Sequence, residues 1–174
     1  MIDLQKHGYS TPLHTLKGWK GKCRIVDIYD GDSLQVVLDD RGIAVKANVR
    51  ISGIDTCELR SKSTDGLRLA HEARVRLISL VTGKPIEDFT DMSRKEFRKI
   101  LDLQSYTCNV VCGIDDKYGR TLAKLYLDNQ EKSIGNILID EGMAVEYNGG
   151  TKMKEAMMIY NIQQKRDEKC MSNE

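Results

Sequence analysis

The chain has 174 residues, 40% hydrophobic and 30% charged, with 27 Lys+Arg against 26 Asp+Glu. That length suits one domain with a sizeable core. No run of about 18 apolar residues offers a membrane span, and two prolines among 14 glycines exclude a collagen-like or proline-rich chain. A formal net charge of +1 neither favours nor excludes a nucleic-acid partner, so any such site must be local. The five cysteines (Cys23, Cys57, Cys108, Cys112 and Cys170) lack CxxC spacing and are odd in number, which points to reduced thiols rather than a disulfide scaffold. With no apolar leader visible in residues 1–22, the expected setting is intracellular.

Residues 1–22 read as a polar N-terminal arm with Trp19 as a possible anchor, and 23–174 as one domain. Cys23 to Tyr29 is apolar and β-branched, and Asp30-Gly31-Asp32 is a turn signal. From Ser33 to Asp39, Leu34, Val36 and Leu38 mark one apolar face. Asp39-Asp40-Arg41-Gly42 reads as a hairpin turn. Val45, Ala47, Val49 and Ile51 then alternate with Lys46, Asn48, Arg50 and Ser52. After a polar loop at 57–66, Leu67, Ala70, Ala73, Leu77 and Leu80/Val81 keep helical spacing up to the Gly83 and Pro85 stop.

Residues 85–105 are less regular, although Ser93-Arg94-Lys95-Glu96 fits a capping box before a short helix. Tyr106–Gly113 and Thr121–Leu127 are two further β-rich runs. Ser133–Glu141 reads as a short helix closed by Gly142, and Met153, Ala156, Met157 and Tyr160 recur at helical spacing in the tail. Five strands with helices between and after them give an α+β class. A closed oligonucleotide-binding (OB-fold) β-barrel fits that count, as do several other α+β folds.

The chemistry concentrates around two turns. Asp32 opens the second strand and Asp55 follows the third, so an antiparallel pairing brings these ends together. An Asp in a turn is ordinarily structural. Two convergent carboxylates repel, however, unless a cation sits between them, and an all-oxygen set suits a hard ion such as Ca²⁺ or Mg²⁺. Zinc fits poorly: no Cys/His cluster competes, and Cys108 and Cys112 lie roughly 13 Å apart along an extended strand.

Arg50 alternates onto the polar face, where an isolated arginine is usually solvated. Strict pleating also turns Arg50 and Asp55 to opposite faces, a conflict that a bulge at Gly53 would resolve. Arg120 follows a tight turn in which Gly119 can take a left-handed conformation and aim Arg120 inward. A plain charged hairpin reads equally well there.

Asp30-Gly31-Asp32-Ser33, then Val49-Arg50-Ile51-Ser52-Gly53-Ile54-Asp55-Thr56-Cys57-Glu58, then Asp116-Lys117-Tyr118-Gly119-Arg120-Thr121-Leu122-Ala123 resemble the staphylococcal nuclease (thermonuclease) family. Ser133-Ile134-Gly135-Asn136-Ile137-Leu138 and Glu141-Gly142-Met143-Ala144 extend the resemblance, which covers roughly 23–148. It implies a five-stranded OB-fold barrel with about three helices and a calcium-dependent phosphodiesterase. Such an enzyme cleaves DNA and RNA to 3′-phosphate and 5′-hydroxyl products.

The resemblance also implies roles. Asp32, Asp55 and the Thr56 carbonyl would bind Ca²⁺, with Mg²⁺ or another hard divalent ion as a substitute. Glu58 would be the general base or water-positioning group. Arg50 and Arg120 would contact the scissile phosphate, and Lys117 and Tyr118 would flank the terminal phosphate of the nucleotide. Tyr147 lies displaced from the family's base-packing tyrosines and could serve either as a stacking face or in the core. Cys57 stands where the family commonly has proline, and Ser33 where threonine is usual. Residues 85–105 read as an insertion: a lid, a dimer contact or padding. The alternative reading is a non-catalytic nucleic-acid-binding or scaffold module of the same fold, though none of the five acid and arginine positions is lost.

Overall fold

A computed structural model describes Gln5, Thr11 and residues 13–171. The expected arm before Leu13 otherwise lies outside the described residues. Its last part packs: Leu16 is buried, and the Trp19 indole N–H donates to the Asp39 carbonyl at 3.0 Å.

Five strands close into a barrel: β1 (Lys20–Ile28), β2 (Ser33–Asp40), β3 (Ile43–Ile51), β5 (Thr107–Asp115) and β6 (Thr121–Tyr126). The order around the barrel is β1-β2-β3-β6-β5, with β3 and β6 parallel and the other pairs antiparallel. Alternation explains the interior. Leu34, Val36 and Leu38 of β2 and Ala47, Val49 and Ile51 of β3 point into one core with Ile25, Val110 and Leu125. β1 starts at Lys20, three residues before the expected Cys23, because Lys20–Arg24 completes the ladder to β5.

Two three-residue strands, β4 (Gly53–Asp55) and β7 (Val145–Tyr147), pair outside the barrel. They are too short to show a period in sequence.

The helices cover the barrel. α1 (Thr64–Thr82) is capped by Ser63, whose hydroxyl accepts the Gly66 N–H, and ends at Gly83, whose N–H donates to Ser79. Its buried stripe runs through Leu69, Ala70, Ala73, Leu77, Ile78 and Val81, while the expected first member, Leu67, is exposed. α2 (Arg94–Leu103) carries the expected capping box between Ser93 and Glu96. It buries Phe97 and Leu101 in the main core, where Phe97 meets Phe89 edge to face. Residues 85–105 thus contribute Phe89, Phe97 and Leu101 to the core, while most of the segment is exposed.

α3 (Ile134–Asp140) and α4 (Glu155–Met171) follow. The four α-helices described exceed the expected three by one. In α4 the expected stripe is the wrong face. Met153, Met157 and Tyr160 are exposed, and Met158 and Ile162 pack on Cys57, Leu69 and Ala70. The helix docks on α1 and not on the barrel, so the burial direction comes from that contact.

Candidate functional site

The β2–β3 ladder sets the site. Ser33 pairs with Arg50, and the Ile51 N–H donates to the Asp32 carbonyl, which puts Asp32 beside Arg50. Gly31 lets α1 approach this turn: a Cβ there would fall 2.7 Å from Ala73 Cβ and 2.9 Å from Thr56 Cγ2. Beyond Ile51 the chain turns at Gly53, whose φ of +87° is open to glycine and strained for other residues. That turn ends β3 and starts β4, so Asp55 folds back over Arg50. The pleating conflict is thus resolved by a turn between two strands, and not by the expected bulge within one.

Arg50 is only 7% exposed, because the folded-back segment covers the outer face of β3. Its Nη2 reaches Asp32 Oδ2 at 2.7 Å and also contacts Asp55 Oδ1. Asp32, Asp55 and Thr56 are buried beside it. Arg50 is the one buried cation in contact with these two buried acids, and the half-exposed Lys152 reaches Asp55 from the rim. Burial, and then the nearby Asp30 charge, push the Asp32 carboxyl up to about 7 despite Arg50. Asp55 Oδ2 is buried with no hydrogen-bond partner. An unsatisfied carboxylate oxygen in a dry site is costly, and a hard cation is the group that relieves it.

Arg120 follows Gly119, whose φ is +75°. Asp116 holds it: Oδ2 accepts from Arg120 Nε at 2.8 Å, and Oδ1 accepts the Arg120 N–H at 3.0 Å. Arg120 Nη1 donates to Ser33 Oγ at 3.2 Å, and that hydroxyl donates to Asp32 Oδ1 at 2.7 Å. The turn thus aims Arg120 at the acid pair. Tyr118, largely exposed, lies with its ring centroid 5.7 Å from the Arg120 guanidinium carbon.

Asp32, Arg50, Asp55, Thr56, Glu58, Tyr118 and Arg120 line one cavity of about 800 Å³. Lys117 and Tyr147 do not. Lys117 Nζ sits 5.0 Å from the Tyr118 ring centroid. Tyr147 pairs with Gly53 in the β4–β7 ladder and donates its hydroxyl to the Gly150 carbonyl. Cys57 is buried, and burial pushes its thiol up to about 11, so it is not a ready nucleophile beside the site.

Sequence reading missed Lys152. Its Nζ lies 3.2 Å from Asp55 Oδ1 and 3.1 Å from Glu58 Oε1, joining two of the three acids. Only the Gly149-Gly150 bend and the β7 pairing bring it there, so no local pattern announces it. Asp116 was also missed as the group that clamps Arg120. Among the described residues, no three His, Cys, Asp or Glu converge as a ready-made metal cage. Asp32 and Asp55 are the two buried acids brought together at Arg50.

Compared with known families, residues 48–171 match the model for staphylococcal nuclease homologues. No curated protein matches the chain. No described helix is long and apolar enough to cross a membrane.

Proposed function

The chain belongs to the family of staphylococcal nuclease homologues, and from that premise we propose that it is a calcium-dependent phosphodiesterase acting on DNA and RNA. The observation that carries this reading is the convergence of two buried acids and two arginines on one cavity, with Asp55 Oδ2 left unsatisfied. That orphaned oxygen and the hard-oxygen donor set fit Ca²⁺. The Asp32 and Asp55 carboxylates and the Thr56 carbonyl would hold it, with water completing the 6–8 ligands such an ion takes. When bound, the ion supplies Lewis-acid polarisation of a phosphoryl oxygen.

The remaining steps belong to the protein. A phosphodiester enters the cavity as an anion, and its oxygens gain charge as water attacks phosphorus. Arg50 and Arg120 would turn guanidinium N–H groups to those oxygens, exchanging part of their present contacts with Asp32, Asp55 and Ser33 for the phosphate. Asp116 keeps Arg120 aimed before substrate arrives, so little reorganisation is needed during reaction. Glu58, exposed on the cavity wall, accepts the proton of the attacking water. The bond from phosphorus to the 5′-oxygen breaks and that oxygen takes a proton from solvent, leaving a 3′-phosphate and a 5′-hydroxyl. Contacts to phosphate carry no base code, so cleavage tolerates many sequences.

The test is a metal-by-substrate panel on the purified chain with denatured DNA and RNA. Calcium should give products ending in 3′-phosphate, and chelator should stop the reaction. Metal-independent retention of nucleic acid with no products would make the chain a binding module and overturn the reading.

A further inference from the structure

Arg74 sits on α1 and is 5% exposed. Its Nε and Nη2 are covered and hydrogen-bond to nothing. Among the described residues, no acid forms an ion pair with it. Asp27, the first candidate, is engaged by Arg94 and Arg98, and Asp30 Oδ1 accepts the Asp32 N–H. A buried cation without a hydrogen-bonded partner is costly. Burial, and then the like charge of Arg94, hold the guanidinium below its ordinary value. Asp27 and Asp30 offset this only in part.

The location suggests what does. Ala73 packs against the Gly31 turn, so Arg74 stands next to the segment that carries Tyr29, Asp30 and Asp32. It lines the same cavity as Arg50 and Arg120. Arg94 lines it too, with its guanidinium carbon 3.3 Å from the centroid of the Tyr29 ring. The cavity therefore extends past the acid–arginine cluster to a second positive region that the proposed cleavage does not use.

We propose that Arg74, with Arg94 at the rim, forms a second anion subsite, which takes the phosphate next to the scissile one on a nucleic-acid strand. A phosphate offers two oxygens to a guanidinium fork and supplies the charge that the helix leaves uncompensated. The identity of the strand rests on the nuclease reading, whereas the anion subsite rests on the orphaned guanidinium. A terminal phosphate monoester shares this chemistry, and the probes separate the two.

The full chain is titrated calorimetrically in chelator, so that nothing is cleaved. The probes are a dinucleoside monophosphate with one diester, a trinucleoside diphosphate with two, and the dinucleoside carrying an added 5′-phosphate. The second diester should tighten binding about tenfold in the parent, the gain of one charge-assisted contact. R74Q should lose that gain and keep the one-diester affinity within about twofold. Its log K against log salt slope for the two-diester probe should shrink by about 0.7.

R74Q and R74M should also melt a few degrees higher than the parent, since each removes an incompletely compensated buried charge. An arginine with a merely structural role would lower the melting temperature instead. The proposal is overturned if the second diester adds nothing in the parent, a measurement that needs no variant. It is also overturned if R74Q weakens all probes equally, or if only the 5′-phosphate tightens binding. Cleavage with calcium is scored separately. Binding through Arg74 without cleavage keeps the subsite and sinks the nuclease reading; cleavage without the second-phosphate gain does the reverse.

Discussion

Asp27 and Asp32 stand on either side of one turn, and both are about 2% exposed. Their carboxyl groups live in opposite surroundings. Asp27 meets two guanidinium groups: Arg94 Nε donates to Oδ1 at 3.0 Å and Arg98 Nη2 to Oδ2 at 2.6 Å. Burial alone would raise its pKa, but the two arginines outweigh it and hold the carboxyl below the usual range. Asp32 shares a single buried arginine with Asp55, and its carboxyl is pushed up to about 7. Equal burial thus serves two purposes. Two cations for one acid latch α2 to β1, whereas the two buried acids of the site share one buried arginine and the half-exposed Lys152 at the rim. The ratio of charges, more than burial, separates the latch from the site.

The comparison can be broken first on the site side. R120A should lower kcat on denatured DNA by about 10²–10³, the loss typical of one preorganised donor to developing charge. Its melting temperature should fall by about a few degrees, since Arg120 is mostly buried and its loss leaves Asp116 without its ion-pair partner. An R120A variant that cleaves at the parental rate would place Arg120 outside the chemistry.

Calcium sharpens the contrast next. At about 100 times its Kd, a ligand that binds only the folded state adds about 2.7 kcal/mol of stability. Calcium should therefore raise the urea midpoint of the parent and leave D55N unmoved. D27N should retain the shift, because Asp27 belongs to the latch. A calcium response that survives D55N would refute the assignment of calcium to the acid pair.

On the latch side, D27A should cost about 2 kcal/mol in urea unfolding. That is below the 3–5 kcal/mol of a fully buried pair, because Arg94 and Arg98 are one-third and one-half exposed and rehydrate when freed. The sign of the pH dependence follows from the lowered carboxyl. The latch is at full strength above the unfolded-state value of about 3.9 and fades as pH falls through the lower folded-state value. Urea midpoints below about pH 4 should converge for parent and D27N. A gap that persists undiminished in acid would mean the latch is not electrostatic.

The two regions were unequally legible in the sequence. The barrel strands show in the alternation of Leu34, Val36 and Leu38 and of Val45 to Ile51, because a face that must be buried repeats every second residue. Asp32, Arg50, Asp55 and Arg120 were readable as a family pattern, and Gly53 gave the physical reason they could meet. The latch was not readable: Asp27 and Arg94 lie 67 residues apart, and an arginine in the first turn of a helix has no local reason to seek a buried acid. The α4 stripe was misread for a similar reason. Methionines at 153 and 157 keep helical spacing, but the partner surface on α1 selects Met158 and Ile162. Arg74 looks like any helical arginine until the cavity beside it is seen.

Lys152 gives the smallest effect and the finest test of the charges at the site. Its ammonium lies within 3.2 Å of Asp55 and Glu58, and it is about half exposed. Burial works against its charge, but Asp55 and the hydrogen-bonded Glu58 win, and its pKa is raised. The side chain therefore acts as a tethered monovalent cation on the acids proposed to hold a divalent one. If calcium binds there as proposed, it would have to push Lys152 aside or share the acids with it, and repulsion between the two would weaken the ion's hold. A long, half-exposed chain can swing into water, which keeps the penalty far below the Coulomb energy of fixed charges. K152M should accordingly bind calcium about five- to tenfold more tightly in isothermal titration, roughly 1–1.4 kcal/mol. Were Lys152 instead part of the scaffold that holds the two acids together, K152M would let them separate and calcium would bind more weakly. The direction of that one shift decides whether the lysine occupies the site or builds it.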